Sequence, residues 1–116
     1  MEFLDLQNEL NIQLNNARDA QENLVPNAVS LANLEKQYKI AKAKKVAELD
    51  LKGVAKTLIS TYVEGDETVA ELKRQLVIAE GTYDATKDKL NLFKLNAKML
   101  NDEINREWNS GGYNNG

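Results

Sequence analysis

The amino-acid sequence predicts an all-α protein, and three observations carry that expectation. Leu, Ala, Lys, Glu, Gln and Asn outnumber Val, Ile, Phe, Tyr and Trp, a balance that favours helix over strand. One proline and six glycines, three of them in the last six residues, leave little punctuation for hairpins or a many-stranded sheet. Most informative is an apolar repeat in steps of three and four through the C-terminal half.

That repeat defines the first element. Val69, Leu72, Leu76, Ala79, Tyr83, Thr86, Leu90, Phe93, Ala97, Leu100 and Ile104 occupy the a and d positions of successive heptads without a break. They predict one long coiled-coil-like helix over about 66–108, about 60 Å long at the α-helical rise. Asp66 is placed to cap its free amides, and Gly111-Gly112 to stop it. A second row, Ile78, Ala85, Leu92 and Met99, recurs every seven residues at position c. The apolar face is therefore wider than one partner helix requires. Val77 and Leu95 lie outside both rows.

The first half reads as helix too. Phe3, Leu6, Leu10, Leu14, Ala17, Ala20 and Leu24 keep helical spacing until Pro26, which biases Val25 away from helical geometry. From Asn27 the pattern resumes through Leu31, Leu34, Tyr38 and Ala41 until Gly53. Thr57 is a candidate cap for a short helix ending at Val63. The expected elements are helices of about 2–25, 27–52, 57–63 and 66–108 in one domain, 1–108, with 109–116 a disordered tail. Two architectures suit them. In a long antiparallel hairpin, residues 2–52 form one kinked helix and 53–65 make the tip. In a three-helix bundle, Pro26 marks a reversal. The similar arm lengths favour the hairpin.

Composition narrows the chemistry. With neither cysteine nor histidine, the chain has no disulfide, no thiolate metal site and no histidine general base or zinc ligand. No glycine-rich phosphate loop and no calcium-loop spacing occurs. The carboxylate pairs Asp84/Asp88 and Glu103/Glu107 lie one turn apart, as on any solvated helix surface. The expectation is a protein that is not an enzyme and takes no cofactor. No apolar run reaches membrane-spanning length and no signal sequence opens the chain, so the expected location is the cytoplasm.

Charge is unevenly distributed. Residues 1–26 carry Glu2, Asp5, Glu9, Asp19 and Glu22 against Arg18, a balance of -4. Residues 27–56 carry seven lysines against Glu35, Glu48 and Asp50, a balance of +4. The two stretches match for contact within the protein or between copies of it. Lys42, Lys45, Lys52 and Lys56 fall on one side of a continuous helix, where they are candidate phosphate contacts for a nucleic acid. A solvated face is the plainer reading, since Glu48 and Asp50 interrupt it. Trp108 either closes the end of the a/d seam or anchors a partner. Leu58, Ile59, Tyr62 and Val63 form an apolar cluster at the tip that either packs down or offers a contact, with Tyr62 the candidate contact residue.

Leu24-Val25-Pro26-Asn27-Ala28, the stretch Tyr38 through Lys45, Tyr62-Val63-Glu64-Gly65-Asp66 and the ending Asn105-Arg106-Glu107-Trp108 together resemble small helical accessory proteins of phages and prophages of Gram-positive bacteria. The resemblance spans nearly the whole chain and transfers no functional residue. It implies either a partner in phage DNA replication or recombination, or an inhibitor of a host defence protein. The sequence thus leads to a non-enzymatic helical protein that binds a protein partner. It also leads to self-association, as a dimer or higher oligomer, through Ile78, Leu92 and Met99. The alternative is a nucleic-acid-binding accessory protein using the lysines of 39–56.

Overall fold

The computed structural model describes residues 2–110. It contains α1 (Phe3–Leu51), α2 (Lys56–Gly65) and α3 (Glu67–Ser110), with no strand among the described residues. The protein is an all-α helical hairpin in which α1 and α3 pack antiparallel and α2 is the short tip helix.

The expected break at Pro26 does not occur: α1 runs through it as one 49-residue helix. The favoured hairpin is thereby borne out over the alternative three-helix bundle, and the helices expected at 2–25 and 27–52 are one. The reason lies in the repeat. Phe3, Leu6, Leu10, Gln13, Ala17, Ala20, Leu24, Asn27, Leu31, Leu34, Tyr38, Ala41 and Lys45 step by three and four across Pro26 without losing phase, and every one is buried or half-buried. Pro26 itself is on the exposed side, where the helix forfeits one backbone hydrogen bond but none of its burial. Leu14, expected in the seam, is exposed. Gln13 takes the place instead.

The tip is built from backbone chemistry. Gly53 has φ 77°, its N–H donates to the Asp50 carbonyl at 3.1 Å, and the Val54 N–H donates to the Leu49 carbonyl at 3.1 Å. These two bonds, with Val54 packed on the cluster that contains Leu49, make a Schellman end to α1. The short helix begins at Lys56, before Thr57, and Ala55 at its N-cap has no side-chain capping bond. Asp66 is the single extended residue between α2 and α3, with φ -66° and ψ 132°. Its Oδ2 accepts the Val69 N–H at 3.1 Å, as the sequence predicts. Helix α3 passes Trp108 to include Asn109 and Ser110, which corrects the expected disordered tail at those two residues; the rest of that expectation, 111–116, lies outside the described residues.

The chain forms two compact units. In the first, residues 1–25 with 84–116, Ala17, Ala20 and Leu90 are buried, with Leu24 and Phe93 against them. Small side chains on α1 thus admit large ones from α3. In the same unit the rings of Phe3 and Trp108 meet at 5.8 Å, and the Asn96 amide donates to Gln13 Oε1 at 3.2 Å. In the second unit, residues 26–83, Leu49, Val63 and Val69 are buried with Tyr38, Ala41, Val54 and Ile59 around them. The tip cluster therefore divides: Ile59 and Val63 pack inward, while Leu58 and Tyr62 are exposed.

Candidate interaction surface

The eleven a and d positions of α3 from Val69 to Ile104 are all buried or half-buried. The c row behaves oppositely. Ile78 is 54% exposed, Leu92 53% and Met99 60%, and Ala85 between them is exposed as well. Val77 and Leu95 add to the exposed apolar surface of the same helix. These side chains keep about half of their apolar surface in water.

Grooves run beside this row. In the first unit a groove of about 600 Å³ is lined by Leu6, Met99 and Leu100 and by Glu9, Asp102 and Glu103. Arg106, which lines the same groove, is bonded to Glu103. In the second unit Ile78 lines a groove of about 290 Å³ together with Ser30, Leu34 and Gln75. A further groove of about 540 Å³ in that unit is lined by Ile40, Lys44, Lys45 and Leu72. The first holds three carboxylates and one arginine, and the last sets Lys44 and Lys45 beside Glu48 and Asp66.

The lysines expected to form a stripe are dispersed. Lys45 bridges Glu48 at 3.4 Å and Asp66 at 3.5 Å. Lys52 binds Glu48 at 2.9 Å. The Glu48 bond holds the Lys45 ammonium above its ordinary pKa, and the bonds from Lys52 and then Lys45 hold the Glu48 carboxyl below its own. Lys42 lies over the Tyr38 ring at 5.8 Å, and Lys73 of α3 over the same ring at 5.3 Å. Lys56 is the first residue of α2, beyond the turn at Gly53. The expected single helix face is thereby corrected: it ends before Lys52, and Glu48 holds two of the four cations.

Trp108 packs its ring against Phe3 at the end of the seam and is 42% exposed. Tyr62 stands exposed on α2. Among the described residues no cluster of three or more His, Cys, Asp or Glu could hold a metal ion, and no helix is long and apolar enough to cross a membrane.

The sequence reading missed the outer face of α1. Once the heptad frame passes through Pro26, Ile12 and Ile40 fall into one row at position c, and Glu9, Asn23, Ser30 and Lys44 into the neighbouring g row. Reading Pro26 as a break hid that frame. No family model, curated protein or solved structure matches the chain.

Proposed function

We propose that the chain is a non-enzymatic helical interaction protein that associates with itself and recognises another protein. It works in the host cytoplasm, in the phage or prophage setting that its resemblance implies. One observation carries this reading: Ile78, Leu92 and Met99 are more than half exposed on a helix whose every seam position is covered. A row of large exposed apolar side chains along one helix face favours association. A nucleic-acid role for Lys42, Lys45, Lys52 and Lys56 has less support, because Glu48 engages two of them and Lys56 leaves the helix.

Sedimentation equilibrium at micromolar concentration tests the reading. The 13.0 kDa chain is expected to run as a dimer or higher closed oligomer. Replacing Ile78, Leu92 and Met99 together with Lys is expected to shift it toward monomer while the helical circular dichroism persists. A parent chain that stays monomeric would overturn the self-association.

A further inference from the structure

We propose that the groove of the first unit docks an amphipathic, lysine- or arginine-rich helix of a partner protein. This rests on the reading above that the chain recognises another protein, and it names that partner's chemistry.

The walls of the groove select the kind of backbone that enters it. Leu6, Glu9 and Gln13 come from α1 at steps of three and four, and Asn96, Met99 and Glu103 from α3 at the same steps. Both walls are continuous helix, so their backbone groups are bonded within each helix and offer no edge to an extended peptide. A third helix satisfies its own backbone and lies between two others, as in a helical bundle. The α3 wall, 96–106, advances about 15 Å, room for about three turns of such a helix.

Side chains then set the sequence of the occupant. Leu6 is buried and Leu100 half-buried, while Met99 is 60% exposed and is a flexible side chain that adapts to what it meets. An apolar residue of the occupant covers it. Among the described residues Glu103 is paired with Arg106. Neither Glu9, which accepts the neutral Gln13 amide at 3.1 Å, nor Asp102 is in an ion pair there. The other two grooves lack this excess of negative charge. One is lined by Ser30, Gln75 and Ile78 with no charged residue, and the other sets lysines beside carboxylates. The surroundings have the same sign as the groove. Residues 2–13 and 96–110 carry Glu2, Asp5, Glu9, Asp102, Glu103 and Glu107 against Lys98 and Arg106. That field draws in a cationic helix and repels a nucleic acid or an anionic segment.

Fluorescence anisotropy of a labelled amphipathic peptide of Leu, Ala and Lys, titrated with the full chain, tests this. Saturable binding is expected, and binding roughly tenfold weaker when Glu replaces each Lys of the peptide. Met99→Lys, at an exposed position, is expected to weaken the Lys peptide by roughly tenfold with the helical circular dichroism unchanged. Glu9→Gln with Asp102→Asn is expected to weaken it as well. Asp19→Asn with Glu22→Gln removes the same charge from exposed positions of this unit outside the groove, and is expected to leave the affinity unchanged. Equal weakening by both pairs would overturn the proposal, since any acidic surface would then serve. Arg106→Gln releases Glu103 and is expected to tighten binding. Equal or stronger binding of the Glu peptide would overturn the cationic partner and leave recognition of another protein standing. No saturable binding of the Lys peptide would overturn the proposal, with the self-association decided separately by sedimentation. A parent oligomer that Glu9→Gln with Asp102→Asn dissociates would give the groove to a second copy and overturn the proposal too.

Discussion

At Gly53 the backbone takes a φ of 77°, a conformation that a side chain opposes by crowding Cβ against the next carbonyl. Gly81, in the middle of α3, has no such need: a Cβ there would meet nothing within 4 Å, and its φ is an ordinary helical one. The two glycines should therefore answer the same substitution with opposite signs. Gly53→Ala is expected to destabilise the fold by about 1 kcal/mol, and Gly81→Ala to stabilise it by about 0.5–1 kcal/mol. Urea melts of the two variants beside the parent decide it, and two shifts of the same sign would contradict the geometry at one position. Gln13 is a second residue whose role depends on its place. It is half-buried in the seam because its amide oxygen finds Asn96, whereas the more hydrophobic Leu14 next to it faces solvent. No buried side-chain nitrogen or oxygen among the described residues lacks a partner. The seam thus carries polar groups without the cost of leaving them unsatisfied.

Helix α1 continues through a residue that normally ends a helix. Pro26 cannot donate to the carbonyl four residues earlier, and its ring crowds that carbonyl, at a cost of about 3 kcal/mol in a helix interior. What keeps the helix whole is burial on both sides of the proline, with Leu24 in the first unit and Leu31 and Leu34 in the second. Pro26→Ala is accordingly expected to raise the thermal midpoint by several degrees with no loss of helical signal, since the site is exposed and the new N–H regains its acceptor. An unchanged or lower midpoint, measured by circular dichroism, would mean that α1 is not continuous at this point. The seam of α3 was legible from its sequence, because its a and d positions from Val69 to Ile104 are apolar or small. Helix α1 was legible only in halves, because Gln13, Asn27 and Lys45 occupy seam positions and disguise the frame.

The molecule has no histidine, and its shifted carboxylates all move downward. Asp66 is lowered first by the Val69 N–H it accepts and then by Lys45, and Glu48 by Lys52 and Lys45. Glu71 falls from an ordinary 4.5 to about 2 through its bonds from Arg74 and Gln75. Groups held below their unfolded values contribute stability above those values and lose it as pH falls through the folded ones. Lys45, held above its ordinary 10.5, contributes below that value and loses it only at still higher pH. Thermal stability is therefore expected to be flat through neutrality and to decline as pH drops from 4.5 toward about 2. Asp66→Asn should remove part of that acid dependence. A transition centred near pH 6.5 in a series of thermal melts would contradict this assignment.

Periodicity along a single helix is a local property, so the chain by itself determined the all-α class, the covered seam of α3, its exposed c row, the stop at Gly53 and the cap at Asp66. Each follows from spacing or from the conformational limits of one residue. The tertiary structure decided what depends on contacts distant in sequence. It carried α1 through Pro26, because packing against α3 outweighs the local penalty of proline. It chose Gln13 over Leu14, because a facing Asn96 satisfies the amide. It turned Ile59 and Val63 inward and left Tyr62 outside, and it separated Lys56 from the lysines of α1. Hydrophobicity says which residues favour burial, but only the opposing helix determines which positions are covered.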